Sequence, residues 1–477
     1  MQTTVKNLLF ITVDQWRADY VGALNPSMTH TPNIDSLIRR GVHFRNHYVQ
    51  SAPCGPSRAS IHTGLLPSQH GVWRNGDQLQ PVWNWASSLR ARGYEPALIG
   101  YTHTARPLPD EDGRGFEGIL PDLALVADLK IDGRAWTDWV LERHPEAKLI
   151  LKDLKSIGEL ANTQIFGGYQ WGQAQYSFEW TDSAYLATAA ANFIESHRNK
   201  PWILHLSLFR PHDPYIATAE FLTEGRRMTA RRGPANAEAA LAAHPFLNTQ
   251  IGNPRFDGRM ETKTLNEIRA HYTASVSEMD AGVGTVLDAL DEFNLSDSTL
   301  VILTSDHGDQ LGDHWAMGKL GIWDQSYHVP LIIADPRPVA TCSHGKEHVG
   351  FTQSIDIAPT ISEYFGCHIP SNLQGFSLQE AVLSPEKLVR FSALWSYEYE
   401  RASDFGSCKR LYAIRNSQFL FAVFDDIESL LIDYDNDGEN AWINRANSRK
   451  YRSTVTSLFA SLSKVLRPSL KIGNVVV

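Results

Sequence analysis

The feature that most constrains the fold is the alternation of short, fully apolar segments with amphipathic helical ones. Segments 8–13, 202–208 and 299–304 are short, apolar and β-branched, which is typical of strands buried on both faces. The longest helical pattern covers residues 265–293, with apolar side chains at steps of three and four. Strands that alternate with helices form a mostly parallel sheet covered on both faces. We therefore predict an α/β fold with a large sheet between layers of helices.

The pattern of apolar and polar residues in the sequence changes after residue 370. Segments 411–414, 419–423 and 429–432 read as short strands separated by tight polar turns, and a helical pattern follows over residues 449–466. Short strands joined by tight turns form an antiparallel meander. Residues 371–477 are therefore predicted to be a small α+β domain that carries a short antiparallel sheet.

Residues 1–370 are predicted to form the large α/β domain. Within it, segment 216–263 is polar, contains Arg-Arg pairs and an Ala-rich stretch, and shows no clear strand signal. Such a segment is either a surface insertion or a lid over the active site. The sequence leaves both interpretations open.

Two acidic clusters follow predicted strands directly. Asp14 comes after the first strand, and Asp306, His307 and Asp309 come after the strand 299–304. A single aspartate at such a place often only caps a turn. Ligands of open α/β sheets, however, bind where parallel strands end, so the two clusters can converge. Carboxylate and imidazole together suit a divalent cation, which makes Asp14, Asp306 and His307 candidate metal ligands.

The most informative stretch is Ser-Ala-Pro-Cys-Gly-Pro-Ser-Arg, residues 51–58. Pro56 favours the first turn of a helix, which places Cys54 at or just before a helix N-terminus, where anions are stabilised. Arg58 lies about one turn further on and can reach back beside Cys54. The alternatives are a small buried cysteine and an arginine in a surface salt bridge.

This stretch resembles the C-x-P-S-R signature of type I sulfatases, a branch of the alkaline phosphatase superfamily. The resemblance continues through Asp14, through Thr-Pro-Asn-Ile-Asp at 31–35 and through Ser-Asp-His-Gly at 305–308. It implies an alkaline phosphatase-like fold and one divalent metal ion. It also implies that a separate formylglycine-generating enzyme oxidises Cys54 to formylglycine, whose aldehyde hydrate is the nucleophile.

Three departures from the arylsulfatase pattern make the chain more similar to phosphonate monoester hydrolases. Gln15 follows Asp14 where arylsulfatases have a second aspartate, His307 replaces a common asparagine, and Tyr101 replaces a lysine. The resemblance implies hydrolysis of phosphonate monoesters and phosphodiesters, with sulfate esters cleaved alongside. One alternative is a dedicated aryl- or alkylsulfatase, and a second is an inactive relative that binds an anionic ligand.

The resemblance, together with the chemistry of the side chains, assigns roles to the site residues. An oxygen of the modified Cys54 completes the metal shell of Asp14, Asp306 and His307, and the ion is Mn²⁺, Ca²⁺ or Zn²⁺. His212 and Lys319 are expected to protonate or stabilise the departing oxygen. The remaining expectations are that Arg58 holds the hydrate, that His103 accepts its proton, and that Asn75 and Tyr101 donate to the substrate. His212, Asn75 and Tyr101 could alternatively be packing residues.

The composition limits which cellular compartment and which binding partners we expect. The net charge of −9 gives no sequence-wide attraction for nucleic acid. Four cysteines without a C-x-x-C pair do not form a disulfide framework, and no apolar stretch has a membrane-spanning length. With no signal-peptide core at the N-terminus, we expect a cytoplasmic enzyme for a small anionic ester. We also expect a homo-oligomer, dimer or tetramer, with the apolar residues 475–477 as a possible pairing strand.

Overall fold

The computed structural model describes residues 5–103, 123–127, 134–147, 161–222, 230, 236–401, 408–438 and 442–466. Its strands are β1 (Asn7–Val13), β2 (Val42–Tyr48), β3 (Pro96–Ile99), β4 (Ala124–Ala127), β5 (Ala161–Phe166), β6 (Tyr169–Ala174), β7 (Ile203–Leu208), β8 (Tyr215–Ala217), β9 (Thr299–Ser305), β10 (Leu331–Ala334), β11 (Lys346–Gln353), β12 (Ser392–Arg401), β13 (Cys408–Asn416), β14 (Phe419–Phe424) and β15 (Leu430–Asp433). Its α-helices are α1 (Pro32–Arg39), α2 (Cys54–Thr63), α3 (Pro67–His70), α4 (Trp85–Arg90), α5 (Arg134–Arg143), α6 (Asp182–His197), α7 (Ala219–Leu222), α8 (Ala237–Ala243), α9 (Pro245–Gly252), α10 (Thr262–Glu292), α11 (Asp324–Tyr327), α12 (Ile357–Tyr364), α13 (Gln379–Leu383), α14 (Tyr434–Asp437) and α15 (Arg452–Leu466).

The largest sheet has eight strands in the order β11-β2-β10-β9-β1-β7-β3-β4. Every neighbouring pair is parallel except the two pairs that include β10, so β10 alone runs against the others. The predicted large, mostly parallel sheet is confirmed.

Both faces of this sheet are buried, as the apolar strands require. Leu9, Ile11 and Val13 of β1 point into one hydrophobic cluster, and Leu8 and Phe10 point into the other. The long helix α10 packs its apolar stripe into the first cluster, and α4 and α12 contribute to the second. Helices therefore cover the sheet on both sides, because alternate side chains of each strand need an apolar neighbour on each face.

The C-terminal part carries a four-stranded antiparallel sheet in the order β12-β13-β14-β15. Strands β13 to β15 and helix α15 confirm the predicted meander and its following helix, whereas β12 had no counterpart in the prediction. One face of this sheet packs against Tyr48, Trp323 and Tyr327 of the large α/β part. The division between residues 370 and 371 stays a prediction.

A third sheet, with the order β5-β6-β8, lies beside the large one. It matters for segment 216–263, because β8 begins that segment and pairs in parallel with β6. Helix α9 then buries Phe246, Leu247 and Ile251 in the cluster shared with the C-terminal sheet. Residues 223–229 and 231–235 of the segment, and the apolar tail 475–477, lie outside the described residues. Among the helices described, none combines the length and apolar character that crossing a membrane requires.

Candidate active site

The residues predicted to carry the chemistry follow the carboxyl ends of neighbouring strands. Asp14 follows β1, Tyr101 follows β3, His212 follows β7 and Asp306 follows β9. These four strands are adjacent in the sheet and run in one direction, so their ends lie at one edge. At this edge Gly100, with φ of +100°, is essential: a Cβ there would lie 2.1 Å from the Ser207 carbonyl oxygen at the end of β7.

Cys54 is the first residue of α2, which confirms its predicted place at a helix N-terminus. Its side chain is buried, and four groups contact the sulfur. Lys319 Nζ donates to Cys54 Sγ at 2.8 Å, and His307 Nε2 lies 3.1 Å from the same sulfur. His103 and His212 also form hydrogen bonds with Cys54. Three histidines and one lysine therefore surround one side-chain atom.

These neighbours favour negative charge at position 54. Burial by itself raises the pKa of the Cys54 thiol, but Lys319 and His307 more than offset burial, and the pKa lies well below its ordinary value. A pocket that stabilises a thiolate also stabilises an ionised oxygen at the same place. The electrostatics therefore suit a nucleophile.

Asp14, Cys54, Asp306 and His307 form a group with the chemistry of a metal site. Each offers one ligand atom, all four atoms lie within 4.8 Å of one another, and all four residues are buried. His307 Nδ1 donates to the Gly308 carbonyl oxygen at 2.9 Å, which leaves the Nε2 lone pair for a ligand. Asp14 Oδ1 is buried and lacks a hydrogen-bond partner among the described residues. An unpaired buried carboxylate oxygen and this donor set fit a divalent cation.

Arg58 joins the two metal-site carboxylates. Its side chain is 1% exposed, its Nε donates to Asp306 Oδ2 at 2.8 Å, and its Nη2 donates to Asp14 Oδ2 at 3.2 Å. Nη1 donates to Ser207 Oγ at 2.8 Å. The surface-salt-bridge alternative is therefore excluded for Arg58. Its direct contacts are the carboxylates, so it fixes their positions while adding positive charge beside Cys54.

His212 and Lys319 form a second pair at the opening of the site. Lys319 Nζ lies 2.9 Å from His212 Nε2 and 3.1 Å from His307 Nε2. Burial and Lys319 lower the pKa of His212, but Asp14, Asp213 and the contact with Cys54 outweigh them and raise it to about 9. The raised pKa favours the protonated form of His212, which has a proton to give. The Lys319 pKa is raised above its ordinary value, since the negative charge of Cys54 and Asp14 overcomes burial.

The remaining predicted residues have definite partners. Tyr101 donates its hydroxyl to Asp14 Oδ2 and places its ring 4.6 Å from the Arg58 guanidinium carbon. Asn75 Oδ1 accepts from the Gly55 backbone N–H at 2.8 Å, so its amide nitrogen is the end left to donate. His103 has a φ of 56°, a strained conformation for this residue. Donation by Asn75 and Tyr101 to a substrate stays a prediction.

The sequence did not lead us to predict that Asp309 holds Gln15 in place. Gln15 has a φ of 67° and donates from Nε2 to Asp309 Oδ2 at 2.5 Å, and Tyr215 donates its hydroxyl to the same oxygen at 2.6 Å. The Gln15 backbone N–H donates to Asp306 Oδ1 at 3.1 Å. The position of Asp309 beside Asp306 and His307 in one short motif is a signal that could have indicated its role.

The site opens into a cavity of about 370 Å³. Gln15, His212 and Lys319 line its inner part. The lining also includes Gly167, Gly168, Tyr169, Asp213, Arg255, Phe256 and Gly318. Arg255 and Phe256 belong to segment 216–263, which therefore contributes to the wall of the site. Nothing in the sequence of that segment marks these two residues.

Comparison with known proteins assigns the chain to a family. A family model described as Sulfatase matches residues 6–367, which is most of the chain. The chain belongs to the sulfatase family. A second model, described as the C-terminal part of N-sulphoglucosamine sulphohydrolase, matches residues 312–467. The family match confirms the predicted relationship and the alkaline phosphatase-like fold.

Several sulfatase-family relatives align over most of the chain. The multifunctional alkaline phosphatase superfamily protein PehA of Trinickia caryophylli is 34% identical over 404 residues, covering 79% of this chain and 76% of that protein. Choline-sulfatase of Rhizobium meliloti (strain 1021) is 28% identical over 453 residues, covering 92% and 84%. The crystal structure of phosphonate monoester hydrolase of Agrobacterium radiobacter superposes with a TM-score of 0.84 at 29% identity, covering 96% and 95%. This sulfatase-family chain is a hydrolase of sulfate or phosphonate esters.

Proposed function

We propose that the protein hydrolyses phosphonate monoesters and phosphodiesters, cleaves sulfate esters alongside, and uses a formylglycine made from Cys54. The observation that carries this proposal is the convergence of Lys319, His307, His103 and His212 on the side chain at position 54. Similarity to phosphonate monoester hydrolases over 96% of the chain supports the choice of ester. Gln15, His307 and Tyr101, where the chain departs from the arylsulfatase pattern, support it further.

Asp14, Asp306, His307 and an oxygen of the modified residue 54 would hold one divalent ion, Mn²⁺, Ca²⁺ or Zn²⁺. When bound, such an ion polarises the ester oxygens and lowers the pKa of a coordinated hydroxyl. Arg58 holds Asp14 and Asp306 in place through its three polar contacts to them and to Ser207. Its positive charge lowers the pKa of both carboxyl groups, although burial still raises the pKa of Asp306 above its ordinary value. Tyr101 donates to the same Asp14 oxygen as Arg58, and the Gln15 backbone N–H donates to the other oxygen of Asp306. The protein thus fixes the ligands before any ion arrives.

The modified residue would supply a hydrated aldehyde, whose hydroxyl is the attacking group. Lys319 stabilises negative charge on that group, as its contact with Cys54 Sγ at 2.8 Å shows for the sulfur. His103 lies within hydrogen-bonding reach of the same side chain and would accept a proton from it. A formylglycine-generating enzyme is the maturation partner that this chemistry requires.

His212 would donate a proton to the departing oxygen. Its raised pKa favours the protonated form, it lies 2.9 Å from Lys319, and it lines the cavity into which the organic part of the ester must extend. Lys319 offsets the charge that develops on the same side. The two residues therefore act on the leaving group, and Arg58 and the metal ligands act on the central atom and nucleophile.

The test is a kinetic comparison of a phosphonate monoester, a phosphodiester and a sulfate ester that share one leaving group. We expect kcat/KM for the phosphorus esters to equal or exceed that for the sulfate ester. For His212→Ala we expect kcat/KM to fall about 10²- to 10⁴-fold. The loss should be larger for a phenyl ester than for a 4-nitrophenyl ester, because 4-nitrophenol is the more acidic leaving group and needs less protonation.

A sulfate ester preferred by orders of magnitude would make the protein a dedicated sulfatase. No hydrolysis of any ester by metal-loaded, modified enzyme would make it an inactive relative that binds anions. A loss in His212→Ala that does not depend on the leaving group would remove His212 as the acid.

A further inference from the structure

The lining of the cavity includes two kinds of residue. Gln15, His212 and Lys319 belong to the site already described, whereas Gly167, Gly168, Tyr169, Arg255 and Phe256 form the part of the lining that we call its outer half. We propose that this outer half binds an aromatic leaving group that carries a second anionic substituent, such as a carboxylate, and that Arg255 recognises this charge. The inference rests on the proposed function, because it concerns the organic part of the same ester.

The position of the outer half identifies it as a leaving-group subsite. His212 and Lys319 are the groups proposed to act on the departing oxygen, and both line this cavity. The organic fragment bonded to that oxygen must therefore extend past them. A volume of about 370 Å³ is enough for a substituted aryl group.

The wall suits a flat ring. Tyr169 is buried and stacks on Tyr215, with ring centroids 6.3 Å apart and planes 11° apart, so its orientation is fixed by packing. Beside it the hairpin turn between β5 and β6 consists of Gly167 and Gly168, which add no side chain to the wall. A Cβ on Gly167 would lie 3.2 Å from the Pro254 carbonyl oxygen, so the turn touches the loop that carries Arg255 and Phe256. Phe256 is half-buried and lines the same cavity, so we expect it to form an aromatic slot together with Tyr169.

The charge of the wall selects an anion. Arg255 is exposed, and no ion pair joins it to a carboxylate within the described part of the chain, whereas Arg259 on the same loop pairs with Asp257 at 2.8 Å. The lining contains one carboxylate, Asp213, which already faces His212 Nδ1 at 3.4 Å. With His212 and Lys319 occupied by the ester group, the guanidinium of Arg255 is left to bind a second negative charge.

The test compares two aryl esters that differ in one substituent: a 4-carboxyphenyl ester and its neutral 4-acetylphenyl counterpart. Both are assayed with wild type, with Arg255→Gln and with the matched control Arg259→Gln. We expect Arg255→Gln to lower kcat/KM for the carboxylate ester about tenfold and to change the neutral ester less than twofold. The loss should shrink at high salt, because the arginine is exposed. Arg259→Gln should resemble wild type with both esters.

Equal changes for the two esters in Arg255→Gln, or equal losses in Arg259→Gln, would overturn the charge assignment. A gain for the carboxylate ester, or a preference for a trimethylammonium-substituted aryl ester, would show that Asp213 sets the selectivity instead. Phe256→Ala should lower kcat/KM for both aryl esters relative to a methyl ester, and an unchanged ratio would exclude the aromatic slot. Turnover of the neutral ester in wild type separates these outcomes from an inactive protein, which would hydrolyse neither aryl ester.

Discussion

Burial and the neighbouring charges have opposite effects on the pKa of the side chain at position 54. A buried thiol is normally neutral, yet Lys319 and His307 shift its pKa far enough to favour the anion. The same contacts serve an oxygen nucleophile equally well, because the ammonium group and the imidazole respond to charge more than to the element that bears it. The site therefore favours an anion at position 54 whether a sulfur or an oxygen bears the charge.

Asp309 is predicted to act as a positioning residue for Gln15. It accepts hydrogen bonds from Gln15 Nε2 and from the Tyr215 hydroxyl. In an Asp309→Asn variant that keeps the same rotamer, an amide nitrogen would replace the accepting oxygen, and both hydrogen bonds would be lost. Gln15 would then rotate, and its backbone N–H bond to Asp306 would weaken. We expect kcat/KM and metal affinity to fall about 10- to 100-fold.

The measurements for Asp309 are steady-state kinetics and metal titration of Asp309→Asn, Gln15→Ala and the double variant. A residue that acts through Gln15 should add little once Gln15 is gone, so the double variant should resemble Gln15→Ala. Fully additive losses would contradict the positioning role and would indicate a separate structural contribution. Thermal midpoints of all three variants show whether folding is affected.

At the scale of elements, helix α2 holds the nucleophile position, and two neutral histidines hold α2. His62 Nδ1 accepts from Trp85 Nε1 at 2.9 Å, and His70 Nδ1 accepts from the Val72 N–H at 3.1 Å. His70 Nε2 also lies 3.0 Å from Ser60 Oγ on α2. Burial lowers the pKa of both histidines to about 3, so neither is protonated in the folded protein at neutral pH.

This arrangement predicts that stability falls as the pH falls below about 6.5. In the unfolded chain both pKa values return to about 6.5, so between pH 6.5 and 3 the unfolded state binds more protons than the folded state. Each histidine then removes up to about 1.4 kcal/mol of unfolding free energy per pH unit. Calorimetry between pH 7.5 and 5 should show a decreasing Tm.

The control for this prediction is His70→Asn, whose Oδ1 can still accept from Val72. Carboxyl groups with raised pKa values, such as Glu278 at about 7, act in the opposite direction in both proteins. The difference in slope therefore isolates the histidine, and Tm of His70→Asn should depend less on pH than that of wild type. Equal slopes would show that His70 titrates normally in the folded state.

Elements that form from local patterns were predictable, and those that depend on distant pairing were not. The apolar runs of β1 and β9 and the helical period of α10 are properties of the segments themselves. Strand β5 is short and exposes Ile165 and Phe166, and the β5–β6 hairpin is completed by β8, which lies more than 40 residues further along the chain. In strand β12 the residues Ala393, Trp395 and Tyr397 point towards the core, and the residues between them are partly apolar and partly polar. The strand therefore lacks a clear alternation of apolar and polar residues in its sequence.

At the scale of the whole molecule, one edge of one sheet collects residues that are far apart in the sequence. The adjacency of β9, β1, β7 and β3 brings Asp14, Tyr101, His212 and Asp306 together. Strand-end position was enough to nominate Asp14 and Asp306, whereas Tyr101 and His212 were nominated by the family resemblance. The cavity wall was not predictable, because Arg255 and Phe256 reach it only through the packing of α9 and of the glycine turn between β5 and β6. The residues proposed for catalysis therefore lie in recognisable sequence motifs, whereas the residues proposed for substrate selectivity reach the site only through tertiary contacts.

The proposed formylglycine chemistry is tested most directly by the mass of the tryptic peptide 46–58, which contains Cys54, from protein produced together with a formylglycine-generating enzyme. We expect the aldehyde at position 54, the free thiol in the peptide that contains the exposed Cys342, and ester hydrolysis in proportion to the modified fraction. Only thiol at position 54 in protein that hydrolyses these esters at full rate would contradict it.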